Sequence, residues 1–349
     1  MTYAMDQLAY AWPRLNASAT WRCEPEDFQV DEMLGFEPDG EGEHVLLQIR
    51  KRDANTDWVA RKLSRFANVH PRDVSYAGLK DRFAVTTQWF SVRLPGKEEL
   101  NWSGINDEEI TVLRWSRHGR KLKRGSLKAN RFKILLKELQ GDRDEIETRL
   151  QLIQETGVPN YFTEQRFGHG GQNIDKAREM LIEGKRVKDR HKHSLYLSAA
   201  RSMLFNHVLN ERVKAENWNT LLKGEDVLLS GSRSHFIAEE IDDVLQKRLL
   251  EWDIQPSGPL PGKMRNQIVT DVSEMEKAML GEFTDLCLGL EKAGVSAERR
   301  SLRSHVMDLS WGYQEMDQLL IEFTLYKGCY ANAVIRELLE ASIIPRSQS

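Results

Sequence analysis

Residues 158–173 read VPNYFTEQRFGHGGQN, and this stretch divides the chain. Ahead of it, short apolar runs of strand character dominate. Beyond it, residues 174–217 carry apolar side chains at helical spacing, and apart from a short β-like piece at 227–238 strand character returns near Leu309. The stretch itself follows a helix stop: Asp142 opens a helix with Ile146, Leu150 and Ile153 on one face, and Gly157 followed by Pro159 closes it. Strand-rich, then helix-rich, then strand plus helix is the signature of an α+β domain formed by both ends of the chain and interrupted by a mostly helical insertion. The boundaries expected are 1–158 and 309–349 for the outer domain and 159–308 for the insertion. Within 158–173, Arg166 and Glu164 suggest a buried ion pair over Tyr161, Phe162 and Phe167.

Working outward, strands are expected at 20–23, 28–33, 45–50, 74–77, 88–94, 110–116 and 131–136, with strand character from 85 to 92 as well. The turn PDGEG at 38–42 separates the second from the third. Asn55 or Thr56 can cap a helix that buries Val59, Leu63, Phe66 and Ala67. In the second half, 227–229 and 235–238 read as a small β element and PSGPLPG at 256–262 as a rigid loop. Helix is expected at 272–293, strand at 319–326 and a final helix at 331–341.

The 349 residues suffice for a sizeable core and most simply for two domains. No apolar run reaches a membrane span, and the first residues lack the basic start and apolar centre of a secretory signal. Cys23, Cys287 and Cys329 stand far apart in no ligand-like spacing, which suits reduced thiols in a cytoplasmic protein. Several chemistries are set aside. Gly168-His169-Gly170-Gly171 has Asn173 where a dinucleotide loop needs its last glycine, and no P-loop is present. His191 and His193 have no Cys or acidic ligands in register, so no metal is expected. Neither the His-x-Glu and Pro-Cys-x-x-Cys pair of a zinc deaminase nor the Gly-x-Ser-x-Gly of a serine hydrolase occurs.

The net charge is only −3, but it is segregated. Residues 114–133 hold nine Lys or Arg and no acid, with Trp115 and Phe132 among them. A second basic run spans 185–192, whereas 24–43 holds nine carboxylates and no Lys or Arg. A basic stripe with aromatics suits an RNA backbone with bases to stack, and a solvated surface neutralised by the acidic segment is the plainer alternative. Within the first part of the outer domain, YAGLKDRFAVTTQ at 76–88 places Asp81 at a strand–turn junction between Lys80 and Arg82. Nearby positive charge favours an ionised carboxylate, which can act as nucleophile or base. By itself the same Asp reads more simply as a turn cap.

The chain resembles the TruD family of tRNA pseudouridine synthases over nearly its whole length. The resemblance is carried by EPEDFQVDE (24–32), GFEPDGEGEH (35–44), AGLKDRFAVTTQ (77–88), LKANRF (127–132), VPNYFTEQRFG (158–168), LSAARSMLFN (197–206) and YANAVIREL (330–338). It implies a pseudouridine-synthase-type catalytic domain with a mixed, mainly antiparallel sheet. It also implies conversion of uridine to pseudouridine at position 13 of certain tRNAs, without a cofactor. tRNA is then the partner, with neither a membrane nor an obligate protein partner. Asp81 falls on the family's catalytic aspartate and Phe28 on an active-site aromatic. Asn130 and Phe132 fall on the Asn and Phe of the K-x-N-x-F string. Two positions depart from the best-known members: Arg22 stands for Lys, and Tyr330 for Phe. Each swap keeps the physical type.

The reaction breaks the N–C glycosidic bond, turns the base and joins its C5 to the sugar. The uridine must leave the RNA stack, and Phe28, Phe132 and Tyr330 can replace the lost stacking at ~1–3 kcal/mol per base. Asn130 can read the edge of uracil with its amide. A cation such as Arg22 or Lys80 would hold Asp81 ionised and oriented for addition to C1′, addition to C6 or removal of a C2′ proton. A non-catalytic RNA binder would keep the basic surface without needing this carboxylate. An Asp-dependent glycoside hydrolase would usually add a second catalytic carboxylate.

Overall fold

The computed structural model describes residues 7–96, 99–264 and 268–343. The expectation of no secretory signal therefore falls partly outside the described residues. Chain order begins β1 (Ser18–Trp21), β2 (Phe28–Leu34), β3 (His44–Arg52), α1 (Thr56–Phe66), β4 (Val74–Tyr76), β5 (Val85–Arg93), β6 (Ile110–His118), β7 (Leu127–Gln140) and α2 (Arg143–Thr156). It continues with β8 (Val158–Pro159), α3 (Glu164–Phe167), α4 (Gln172–Leu181), α5 (Arg190–Lys214), β9 (Glu225–Leu229), β10 (His235–Ala238), α6 (Asp243–Leu250) and β11 (Ile254–Leu260). The last part holds α7 (Asp271–Met279), α8 (Thr284–Lys292), β12 (Glu298–Ser301), β13 (Arg303–Ser304), β14 (Met307–Glu315), β15 (Gln318–Tyr326), α9 (Ala331–Leu338) and β16 (Glu340–Ser342).

Two compact units emerge. One takes Leu15–Glu147, Val306–Gly328 and the described residues from Leu339 onward. The other takes the described residues up to Arg14, Thr148–His305 and Cys329–Leu338. The chain passes from one to the other within α2, after Glu147.

The first unit is built on a ten-stranded sheet in the order β14-β15-β7-β2-β5-β3-β6, with β1 and then β16 added beside β7 and β4 beside β5. Pairing is antiparallel except for β2 with β5 and β1 with β16. The sheet is mixed and mainly antiparallel, and the protein is α+β. Helix α1 starts after Asn55 and buries Val59 and Leu63 against Leu47, Phe90, Trp102 and Ile105. Phe66, expected in that core, is 39% exposed and only tilts against Trp102. Strand β7 is longer than the alternation at 131–136 suggests. Its ends carry Lys, Arg and Glu on the solvent side, so charge masks the period there.

The second unit packs α4, α5 and α8 around Phe162, Phe167, Leu204, Phe205, Leu286 and Leu290. Beside them lies an antiparallel sheet in the order β10-β9-β11-β12. Here the reading of 256–262 as a loop fails: PSGPL is most of β11. The strand changes partner midway, Ile254–Pro256 pairing with β9 and Ser257–Leu260 with β12. Pro256 needs only to accept, and its carbonyl takes the Leu302 N–H at 2.9 Å. The helix expected over 272–293 is two helices broken near Gly281, and the final helix stops at Leu338 so that β16 can pair with β1. Gly157 ends α2 at φ +72°, where a Cβ would stand 2.3 Å from the Ser304 carbonyl oxygen.

Candidate active site

Asp81 lies in the loop between β4 and β5, and its local fold is fixed by hydrogen bonds to buried partners. The Gln88 side-chain amide donates to the Gly78 carbonyl, and Gln88 Oε1 accepts from Thr56 Oγ1 at 3.0 Å. Thr56 Oγ1 in turn accepts the Lys80 N–H at 3.2 Å. Beneath the loop, the fully buried Lys51 of β3 donates from Nζ to the carbonyls of Ala54 (2.6 Å) and Asp81 (3.0 Å). Burial lowers the Lys51 pKa to about 8, against the pull of Asp81 and Asp53 and with help from Lys80.

The three cations near Asp81 divide their work. Arg22 Nη2 meets Asp81 Oδ2 at 3.0 Å. Lys80 instead turns inward to Glu32, Nζ to Oε2 at 2.5 Å, with the two side chains 8% and 0% exposed. The other oxygen of Glu32 accepts the Trp89 N–H at 3.2 Å. Arg82 is exposed and pairs with Asp53 at 3.4 Å. Sequence adjacency to the acid is thus no guide to contact: successive residues in this loop point different ways.

Arg22 is held by stacking. Its guanidinium carbon lies 3.7 Å from the Phe28 ring centre and 4.7 Å from that of Trp21. The backbone at Arg22 is left-handed, φ +55°, in the break between β1 and β2, which follow one another along β7. Desolvation lowers the Arg22 pKa more than Asp81 raises it. Its Nε is buried without a hydrogen-bond partner.

The aromatic residues expected at the site extend from this pair into the sheet. Phe28 sits edge-on to Trp21 at 5.7 Å and tilted to Phe132 at 6.1 Å, and Phe132 stacks on Phe323 at 5.4 Å. Phe28 and Phe132 are more than nine-tenths buried. On β7, Asn130 stands opposite Glu32 of β2 and Phe132 opposite Val30, so Asn130 and Phe132 share a face with Phe28 and Glu32. Asn130 Oδ1 is buried and has no hydrogen-bond partner. A buried acceptor left unmatched in the protein suits a donor on a ligand.

Tyr330 belongs to the other compact unit. There its ring tilts against Phe162 at 6.0 Å and its hydroxyl accepts from Arg166 Nη2 at 2.9 Å. Arg166 also donates to Ser198 Oγ at 3.1 Å. The ion pair anticipated between Arg166 and Glu164 is not what holds this segment: Glu164 is exposed, and hydroxyl groups take the guanidinium. Lys51, Glu32 and Gln88 went unnoticed in the sequence, although a Lys and a Glu inside apolar strand runs are a signal that could have been read.

The expected RNA-facing charge is unevenly matched. Arg114 pairs with Glu37 at 3.5 Å, Arg117 with Glu99 at 2.8 Å, and Arg131 and Lys133 share Glu322 at 2.8 and 3.4 Å. In the other unit, Lys185 pairs with Glu179 and Glu183, and Asp189 caps α5 by accepting the N–H groups of His191 and Lys192. Among the described residues no three His, Cys, Asp or Glu side chains cluster as metal ligands would, and no helix is long and apolar enough to cross a membrane.

The fold and the site define a mixed-sheet α+β protein with a single loop carboxylate paired to a stacked arginine. A crystal structure of a TruD-assigned protein from Methanosarcina mazei shares the fold, with a TM-score of 0.68, 21% identity and 95% of each chain covered. In sequence, the chain is 47% identical to the tRNA pseudouridine synthase D of Methylococcus capsulatus, over 96% of this chain and 95% of that one. It is 48% identical to the enzyme of that name from Nitrosococcus oceani, over 95% and 93%. The family model for tRNA pseudouridine synthase D (TruD) matches residues 4–188 and 185–338. The chain belongs to the TruD family.

Proposed function

We propose that this protein is a cytoplasmic tRNA pseudouridine synthase that isomerises uridine, at position 13, through Asp81 and without a cofactor. The observation that carries the reading is the 3.0 Å pair between Asp81 and an Arg22 guanidinium held over Phe28 and beside Trp21. A fixed cation of this kind orients one carboxylate oxygen and leaves the other for the substrate. Asp81 is about one-third exposed, so it is within reach of a ligand from solution. Asn130, with its unmatched Oδ1, would accept the N3–H of a flipped uracil, and Phe132 and Phe28 would flank the ring. Tyr330 would add a further aromatic surface.

The reaction is an isomerisation: the N1–C1′ bond breaks, a C5–C1′ bond forms, and the C5 proton leaves while N1 gains one. No oxidant, reductant or water is consumed. Functionally, residues 1–158 and 309–349 would form the catalytic domain and 159–308 the insertion. Incubation of the purified protein with unmodified tRNA, followed by pseudouridine mapping, tests the reading. Wild type should place pseudouridine at position 13, and Asp81→Asn should bind tRNA but make none. A wild type that makes no pseudouridine overturns it.

A further inference from the structure

The structure sorts the nine cations of residues 114–133 into two sets. Arg114 and Arg117 of β6 and Arg131 and Lys133 of β7 have carboxylate partners. The others are Arg120, Lys121, Lys123, Arg124 and Lys128. All five are exposed, and none has a carboxylate at ion-pair distance among the described residues. Four of them sit in one loop, 119–126, between β6 and β7.

That loop forms one wall of a groove of about 350 Å³, and β4 with Tyr76 forms the other. Its floor is rigid. Ser75 Oγ bonds to Ser91 Oγ at 2.8 Å and to the Leu122 carbonyl at 2.9 Å, while Val74 and Leu122 are buried. The rim is polar and cationic. Lys121 is anchored on the Arg72 carbonyl at 2.6 Å, and Arg124 lies 5.7 Å from the Tyr76 ring centre. Asp57 accepts from the Tyr76 hydroxyl at this rim. The Gly125 N–H donates to the Ala77 carbonyl at 2.6 Å, tying the loop to the strand that leads into Asp81. Asp81 is five positions beyond Tyr76, a reach of at most about 17 Å.

Four unneutralised cations on a fixed loop, beside an aromatic and coupled to the Asp81 segment, have the chemistry of a phosphodiester track. We propose that this groove receives the phosphate backbone of the RNA strand flanking the uridine held at Asp81. This rests on the tRNA reading above. It adds that the loop cations, and not the strand cations of the same basic run, carry the electrostatic grip. The carboxylate-paired set releases no counterions on binding because it holds none.

Binding of an unmodified tRNA transcript is measured by fluorescence anisotropy across a salt series. The proteins compared are wild type, Lys123→Gln/Arg124→Gln and Arg131→Gln/Lys133→Gln. All four side chains are exposed, so both double variants should fold. Removing two single-strand phosphate contacts should lower the slope of log K against log salt by about 1.4, at roughly 0.7 per contact. The loop variant should show that drop, and the strand variant should keep the wild-type slope. Equal slopes for wild type and the loop variant, or a larger drop in the strand variant, overturn the proposal. Pseudouridine mapping is read separately, so binding that follows the predicted pattern without product would sink the catalytic reading alone.

Discussion

Lys51 Nζ, buried to 0% exposure on β3, donates at 3.0 Å to the backbone carbonyl of Asp81 itself. The same ammonium holds the Ala54 carbonyl at 2.6 Å, so one side chain ties both the end of β3 and the Asp81 loop to the sheet. Its role is positioning. Lys51→Met should lower kcat by about 10- to 100-fold, the scale of a misplaced reacting group, while tRNA affinity stays near wild type. Single-turnover rates beside binding constants check this.

The same lysine has a stability signature. Its pKa falls from the usual 10.5 to about 8 in the folded protein because burial penalises the charge. Between pH 8 and 10.5 the unfolded chain therefore holds a proton that the folded protein has released. Stability contributed by this site must rise with pH across that window. Denaturant unfolding at pH 7.5 and pH 10 should show wild type gaining on Lys51→Met; a constant difference would contradict the assignment.

Arg22 can be tested by keeping or removing its charge. Arg22→Ala strips Asp81 of its cation and should cost about 1.5–3 kcal/mol of transition-state stabilisation, roughly 10- to 100-fold in kcat. Arg22→Lys keeps the charge but loses the flat surface over Phe28, and should fall between the two. Equal activity in all three would show that the pair does not serve the reaction.

Glu32 and Lys80 are a buried pair, and breaking such a pair strands a charge. Glu32→Ala alone should destabilise the fold by about 3–5 kcal/mol, also freeing the Trp89 N–H. Adding Lys80→Met should restore part of that loss, since the uncompensated ammonium is gone. A double-mutant cycle by urea unfolding measures the coupling.

Glu337 of α9 supplies an opposite pH dependence. It is 1% exposed, and burial raises its pKa to about 7 despite Arg336 at 2.6 Å and Arg149 nearby. Between pH 4.5 and 7 the folded protein holds a proton that the unfolded chain has lost, so stability falls as pH rises. Glu337→Gln should remove that slope, amounting to about 2–3 kcal/mol over the window. Thermal unfolding at pH 5 and pH 7.5, variant beside wild type, reads it.

Much of this was written locally. The periodicity of 56–66 and of 142–156, the alternation on β7 and the change of character at 158 determined the helices, the strands and the α+β order, because each depends on neighbours three or four residues away at most. The sequence motifs around Asp81, Phe28, Asn130 and Phe132 also determined the family. What tertiary structure decided was partnership. Three cations compete for Asp81 in sequence, and only the folded chain turns Lys80 inward to Glu32, Arg82 outward to Asp53, and brings Arg22 from β1 to the carboxylate. The same holds for β11, whose prolines read as loop until β9, β12 and Leu302 satisfy its backbone, and for the basic run, whose strand half is neutralised by acids distant in the chain. Ion pairs and sheet edges join residues tens to hundreds of positions apart, and no local period records them.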